Sequence, residues 1–416
     1  MSVDVTRDAF RKDIPILFAT RILRLFAYGS FSVILALYLA AAGLTESEIG
    51  LLLTLTLVGD TIISLFITTR ADRVGRKRML MIGAGLMIFA GLVFAATNSF
   101  WLLLLAATVG VISPSGNEVG PFLAIEQAAL SEEITSERRT KIFAWYNLVG
   151  SFATALGALL GGGLVQVMHW RGFEALASYR AVALGYSVVG GAMVLLFSRL
   201  TSAAEPPMAQ RVTGKLSFTQ AKLGLGESKN NVFKLAGLFT IDAFAGGFVV
   251  QAFVAYWFYK RFGVNPAMLG GIFFGANVLA GISALSANWI ASKIGLLATM
   301  VGTHIPSNIL LLLVPLMPNL PLAIMMLLLR FSISQMDVPT RQAYTMALVT
   351  PAERSAAAGV TGIARTVGAA ISPLVAGPLF ATAALASIPF LLAGGLKIVY
   401  DLLVWQTFRN VKLPKA

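Results

Sequence analysis

A run of about 20 apolar residues is just long enough to cross the roughly 30 Å hydrocarbon core of a bilayer as a helix. This chain contains such runs one after another, divided by short polar knots. Lipid offers no partner for backbone N–H and C=O groups, so blocks of this kind have to close their own hydrogen bonds as helices. Charged residues make up only 12% of the 416 positions and hydrophobic ones 57%, against roughly 25% charged in a soluble domain. These features predict an all-α, polytopic membrane protein.

The apolar blocks fall at about 14–42, 46–69, 77–97, 100–130, 140–168, 175–199, 231–262, 266–291, 295–317, 320–349, 354–382 and 385–408, which makes twelve spans. Most are parted by brief punctuation such as Gly43, Asn98-Ser99, Asn265-Pro266 and Pro318-Asn319. One connection is long and polar, 201–230, with Pro206-Pro207 and several lysines. It divides the chain into a six-span bundle over 1–200, a linker loop, and a second six-span bundle over 231–416. The first apolar run carries Arg21 and Arg24, which suits a retained span better than a cleaved leader.

The net charge of +13 follows from topology. Only Arg171, Arg180, Lys260 and Arg261 lie in the odd-numbered connections, and Arg21, Arg24, Arg330, Arg365 and Lys397 lie within spans. Apart from Arg341, inside span 10, the remaining basic residues sit at or near the termini and the even-numbered connections. The positive-inside rule then predicts both termini and the long loop on the cytoplasmic side of a plasma membrane. No nucleic acid is needed to explain the surplus. Cysteine is absent and there are two histidines, His169 and His304, so neither a disulfide framework nor a Cys/His metal site is expected, and no cofactor is implied. No HExxH, phosphate-binding GKS/T or serine–histidine pattern points to an enzyme.

The two halves repeat at an offset of about 216–220 residues. Ala71-Asp72-Arg73-Val74-Gly75 after span 2 matches Ala291-Ser292-Lys293-Ile294-Gly295 after span 8, and Glu137-Arg138 matches Glu353-Arg354. Phe26-Ala27 and Tyr38 in span 1 match Phe244-Ala245 and Tyr256 in span 7. Six being even, the halves share one orientation, the parallel repeat seen in some secondary transporters.

The stretch from Gly59-Asp60 through Asp72-Arg73-Val74-Gly75-Arg76-Lys77-Arg78 resembles the G-x-x-x-D-R-x-G-R-K/R signature of the major facilitator superfamily, with Thr68 in place of its first glycine. The resemblance implies that spans 1, 4, 7 and 10 line a central cavity, that 2, 5, 8 and 11 lie between the halves, and that 3, 6, 9 and 12 lie outside. It also implies a cytoplasmic gate built on Asp72, Gly75 and Arg76, with Glu126, Arg138, Glu353 and Arg354 as partners. Drug:proton antiporters of the superfamily carry a glycine–proline pattern in span 5. Here span 5 has only Gly157-x-x-x-Gly161-Gly162-Gly163, and a degenerate version falls in span 11.

A charge at the centre of a membrane helix costs at least about 2.5–3.5 kcal/mol, so each one needs a reason. Arg24, Glu118, Asp242, Arg330 and Asp337 are the candidates for substrate and proton coupling, with Arg21 and Arg341 beside them. Arg24 and Asp242 occupy equivalent repeat positions, so they are expected to meet across the cavity. Asp337 and Arg341 are four apart and can pair along one helix face. Glu118 sits in Ile112-Ser113-Pro114-Ser115-Gly116-Asn117-Glu118-Val119-Gly120-Pro121, a run that weakens a helix. Asp60 is expected between the halves, His304 as a packing residue, Lys397–Asp401 as an i,i+4 pair, and Tyr256–Tyr259 as an outer aromatic belt. The expectation is a monomeric secondary transporter in the bilayer, moving a small molecule by alternating access with protons as the coupling ion. Export is preferred; import of an organic anion stays open, with a non-transporting receptor or scaffold as the remaining reading.

Overall fold

The structure, a computed structural model, describes residues 2–133, 136–205, 228–350 and 353–411. Most of the polar connection 201–230 lies outside them. Among the described residues every regular element is a helix, and eleven helical stretches are long and apolar enough to cross a membrane.

Spans 1 to 3 are the unbroken helices α1 (Ser2–Ala41), α2 (Glu46–Val74) and α3 (Arg76–Ala96). The start of α2 is set by a reciprocal cap. Thr45 Oγ1 accepts from Glu48 N–H at 3.3 Å while the Glu48 carboxylate accepts from Thr45 N–H at 2.8 Å. Both otherwise orphaned donors are thereby satisfied.

Span 4 is the exception to the eleven. It consists of α4 (Phe100–Val109) and α5 (Phe122–Glu133), parted by an irregular stretch over 110–121. The prolines and glycines that predicted a weak point do break the helix. Val111 adopts φ +55°, rare for a β-branched residue, and Gly116 and Gly120 lie at φ +72° and +82°. The freed carbonyls are not left empty. Tyr186 Oη donates to Val111 O at 2.8 Å, Tyr28 Oη to Val119 O at 3.3 Å, and Thr154 Oγ1 to Gly116 O at 3.3 Å. Side chains of neighbouring spans thus supply what the helix ladder gave up.

Spans 5 and 6 are α6 (Ser136–Trp170) and α7 (Ala175–Ser198). Span 7 is α8 (Lys229–Gly247) and α9 (Gln251–Phe262), interrupted at 248–250. Spans 8 and 9 are α10 (Pro266–Ile294) and α11 (Leu296–Leu313). Span 10 is α12 (Leu320–Ser334) and α13 (Asp337–Ala347), interrupted at Gln335-Met336. Spans 11 and 12 are α14 (Arg354–Phe380) and α15 (Ile388–Phe408).

The chain forms two compact units, Met1–Leu216 with Val264–Phe274, and Ser217–Gly263 with Gly275–Ala416. In each unit the first and fifth spans make the most extensive pairing, α1 with α6 and α8 with α14. Small residues permit it. A Cβ on Gly157 would run into the Phe26 carbonyl and one on Gly161 into the Ser30 backbone, so helix axes approach more closely than bulkier residues allow. Ser30 Oγ donates to Gly157 O at 3.0 Å, and in the second unit Ser372 Oγ donates to Phe244 O. In α9, Tyr256, Trp257 and Phe258 are buried and Tyr259 is 46% exposed. The expected outer belt is therefore mostly core, because span 7 turns this aromatic face toward its own unit.

Candidate functional site

In the first unit, four charged side chains converge from spans 1 and 4. Arg24 is fully buried and grips two carboxylates. Its Nε donates to Glu118 Oε1 at 2.8 Å, while Nη1 and Nη2 donate to the two oxygens of Glu126 at 2.9 and 2.7 Å. The Glu126 contact is the fork-on-fork geometry that the planar guanidinium favours. Arg21, three residues earlier on the same helix face, donates to Glu118 Oε2 at 2.8 Å, to Tyr146 O at 2.7 Å and to Asn147 Oδ1 at 3.1 Å. Glu126 also accepts from Thr20 Oγ1 at 3.0 Å and from Tyr146 Oη. Two arginines thus balance two glutamates. Glu118, in the broken stretch of span 4, is the member with some access, at 13% side-chain exposure.

In the second unit, spans 10, 11 and 12 bring cations onto Asp242, which is buried on α8 of span 7. Its Oδ2 accepts from Arg341 at 3.0 Å and Arg365 at 2.8 Å, and its Oδ1 from Lys397 at 2.5 Å. Arg341 also donates to Asp337 at 2.9 Å along α13. Asp337 is the first residue of that helix, where the unpaired N–H groups favour an anion. Asp401 on α15 holds His304 on α11, with His304 Nδ1 at 2.8 and 3.0 Å from its two oxygens, and accepts from Asn308 Nδ2 at 3.3 Å. Arg330 has no carboxylate partner among the described residues. Its Nε lacks a hydrogen bond, and its guanidinium stacks 4.9 Å over Phe331. Arg365 keeps 34% of its side chain exposed.

Residues 17–373, which include the signature loop after span 2, match the model of the Major Facilitator Superfamily. The chain belongs to that superfamily. It is a multi-pass membrane protein and a secondary transporter of that fold. The uncharacterized membrane protein YJR124C of Saccharomyces cerevisiae is 32% identical, over 96% of this chain and 95% of that one. The quinolone resistance protein NorA of Staphylococcus aureus is 26% identical, over 64% of each. Among solved structures, the chain is similar to a mutant form of the nucleoside transporter NupG, at TM-score 0.74 and 15% identity, covering 95% of this chain and 99% of that one. It is also similar to a D-xylose-proton symporter, at TM-score 0.73 and 14% identity, covering 94% and 97%.

Within the superfamily plan, several expected placements change. Arg24 and Asp242, expected to meet each other, have other ion-pair partners inside their own units, Arg24 on Glu118 and Glu126 and Asp242 on Arg341, Arg365 and Lys397. Glu126, expected at the gate, is fully buried under Arg24. The i,i+4 pair Lys397–Asp401 gives way to Lys397 on Asp242 and Asp401 on His304. Asp60 lies against the broken stretch of span 4, its Oδ1 3.7 Å from where a Gly120 Cβ would stand and without a hydrogen-bond partner among the described residues.

The signature loop is organised by a residue the sequence did not single out. Asp72, exposed, pairs with Arg76 Nε at 2.9 Å. The Glu205 carboxylate then accepts from the N–H groups of Arg76 at 2.8 Å and Lys77 at 3.2 Å, capping α3. Gly75, at φ +113°, makes the turn that brings them there. Lys77 Nζ donates to Ser198 O and Leu200 O at 2.6 and 3.0 Å. Asp13 accepts from Thr201 Oγ1 at 2.7 Å. Glu353 is buried and accepts from Thr350 Oγ1 at 3.1 Å, whereas Arg354 is exposed. The side chain of Arg138 lies outside the described residues.

Proposed function

We propose that the protein is a proton-coupled secondary transporter that exports small amphipathic molecules by alternating access. Both termini lie in the cytoplasm and the protein works as a monomer in the plasma membrane. The observation that carries this reading is that each unit holds buried carboxylates under arginine control: Glu118 and Glu126 beneath Arg21 and Arg24, and Asp242 beneath Arg341, Arg365 and Lys397. Such a carboxylate can exchange a proton when its arginine is drawn away, and the arginine can be drawn away by substrate or helix movement. Asp72, Gly75 and Arg76 form the cytoplasmic gate element of this reading, with Glu353 and Arg354 as its counterparts in the second unit. The likeness to a quinolone resistance protein supports export.

A second reading, import of an organic anion, has its own support. Arg330 has no carboxylate partner among the described residues, and Arg365 is one-third exposed, so both retain donors for an anionic group. Proteoliposomes carrying a pH-sensitive dye and an imposed pH gradient separate the two. Efflux of a fluorescent quinolone with matching proton movement, the proton movement alone being lost in Asp242→Asn, supports the exporter. Uptake of carboxylate-bearing solutes, lost in Arg330→Gln with proton movement retained, supports the importer. Substrate movement with no proton flux in the unaltered protein refutes coupling.

A further inference from the structure

We propose that His304 is a proton-binding group of the second unit and positions Asp242 by deciding which cations hold it. The inference deepens the proton-coupled reading and rests on it. His304 lies on span 9 and Asp401 and Lys397 on span 12, the spans that the superfamily plan assigns to the periphery. Yet all three reach the same buried cluster, with His304 5%, Lys397 8% and Asp401 0% exposed.

The imidazole stands between two carboxylates. Nδ1 lies 2.8 and 3.0 Å from the oxygens of Asp401, while Nε2 lies 3.9 Å from Asp242 Oδ1. A neutral imidazole has one N–H. Donated to Asp401, it leaves a bare lone pair on Nε2 facing an oxygen that also bears electron pairs. A proton arriving at Nε2 turns that face into a cationic donor aimed at Asp242. The same Oδ1 already accepts from Lys397 Nζ at 2.5 Å, so the imidazolium and the ammonium compete for one oxygen.

The surrounding groups make this competition consequential. From α8 comes Asp242, from α15 Lys397, Asp401 and the Tyr400 ring at 5.9 Å, and from α11 itself Asn308. From α13 come Arg341 and Asp337, from α14 Arg365, and from α12 Arg330, whose charge interacts with Asp337 and Asp242. Around a neutral His304, Arg341, Arg365 and Lys397 match the three aspartates, and Arg330 stands as a surplus cation. Protonating His304 adds a further positive charge to a buried cluster that already carries one, and the hold of Lys397, Arg341 and Arg365 on Asp242 weakens. A proton bound on span 9 therefore reaches spans 7, 10 and 11 through one carboxylate.

The chain has two histidines, which makes the test direct. Isotope labelling of the histidine rings in the full-length protein, in lipid nanodiscs, gives two sets of NMR signals, and His169→Gln assigns them. On acidification a doubly protonated His304 ring is expected to be detected, with its acid midpoint displaced in Asp242→Asn. Lys397→Met, which removes the competitor for the same oxygen, is expected to displace it too and serves if Asp242→Asn does not fold. A ring that keeps one protonation state throughout, or an unchanged midpoint in both variants, overturns the proposal. Proteoliposome proton flux reads the transport proposal separately: no flux from the unaltered protein defeats coupling, while the titration still decides whether His304 binds a proton.

Discussion

Removing the Arg24 guanidinium strands Glu126, which is fully buried and, among the described residues, has only Thr20 and Tyr146 left to hold it. Breaking a buried pair from one side costs about 3–5 kcal/mol. Arg24→Gln is therefore expected to lower the thermal unfolding midpoint in detergent sharply, and Arg24→Gln with Glu126→Gln to recover a large part of the loss. Tyr146→Phe, which deletes one donor to Glu126, is expected to cost about 1–3 kcal/mol by the same measurement. These residues were partly legible in advance. Charge inside an apolar block marked Arg24, Glu118, Asp242 and Asp337 as functional, and the repeat aligned Arg24 with Asp242. Partner choice was not legible, since helical periodicity says which face a side chain occupies and not which neighbouring helix lies there. His304, Lys397 and Asp401 carried a usable signal, three ionisable residues in apolar spans. It was discounted because the superfamily plan puts those spans outside.

At the scale of elements, the broken spans matter more than the straight ones. The irregular stretch of span 4 presents Glu118 where a continuous helix would tie up its backbone, and the Ser-Pro-Ser-Gly run announced that break. Interruptions at 248–250 and 335–336 had no comparable announcement, lacking glycine–proline clusters. The tight pairing of α1 with α6 depends on Gly157 meeting the Phe26 carbonyl. Gly157→Val is expected to leave little correctly folded protein, as read by the monodisperse peak in size-exclusion chromatography, because backbone cannot give way as a side chain can. The α3 cap is a milder case. Glu205→Ala removes the acceptor for two helix-start donors, a loss of about 1 kcal/mol. The amides of Arg76 and Lys77 are expected to exchange faster with deuterium, with the rest of α3 unchanged.

For the whole molecule, each compact unit buries carboxylates against cations of its own, and under the proposed proton coupling each is a separate device for holding and releasing a proton. The repeat in the sequence predicts two like halves, and the charges inside apolar blocks predict a buried polar cluster in each. In the proposed mechanism, proton movement depends on Asp242 being held and released by its cations. The most direct measurement is proton flux into proteoliposomes driven by an outward gradient of a fluorescent quinolone, comparing the unaltered protein with Asp242→Asn. The account predicts proton entry accompanying quinolone exit in the first, and quinolone exchange without proton movement in the second. Equal proton movement in both would contradict it.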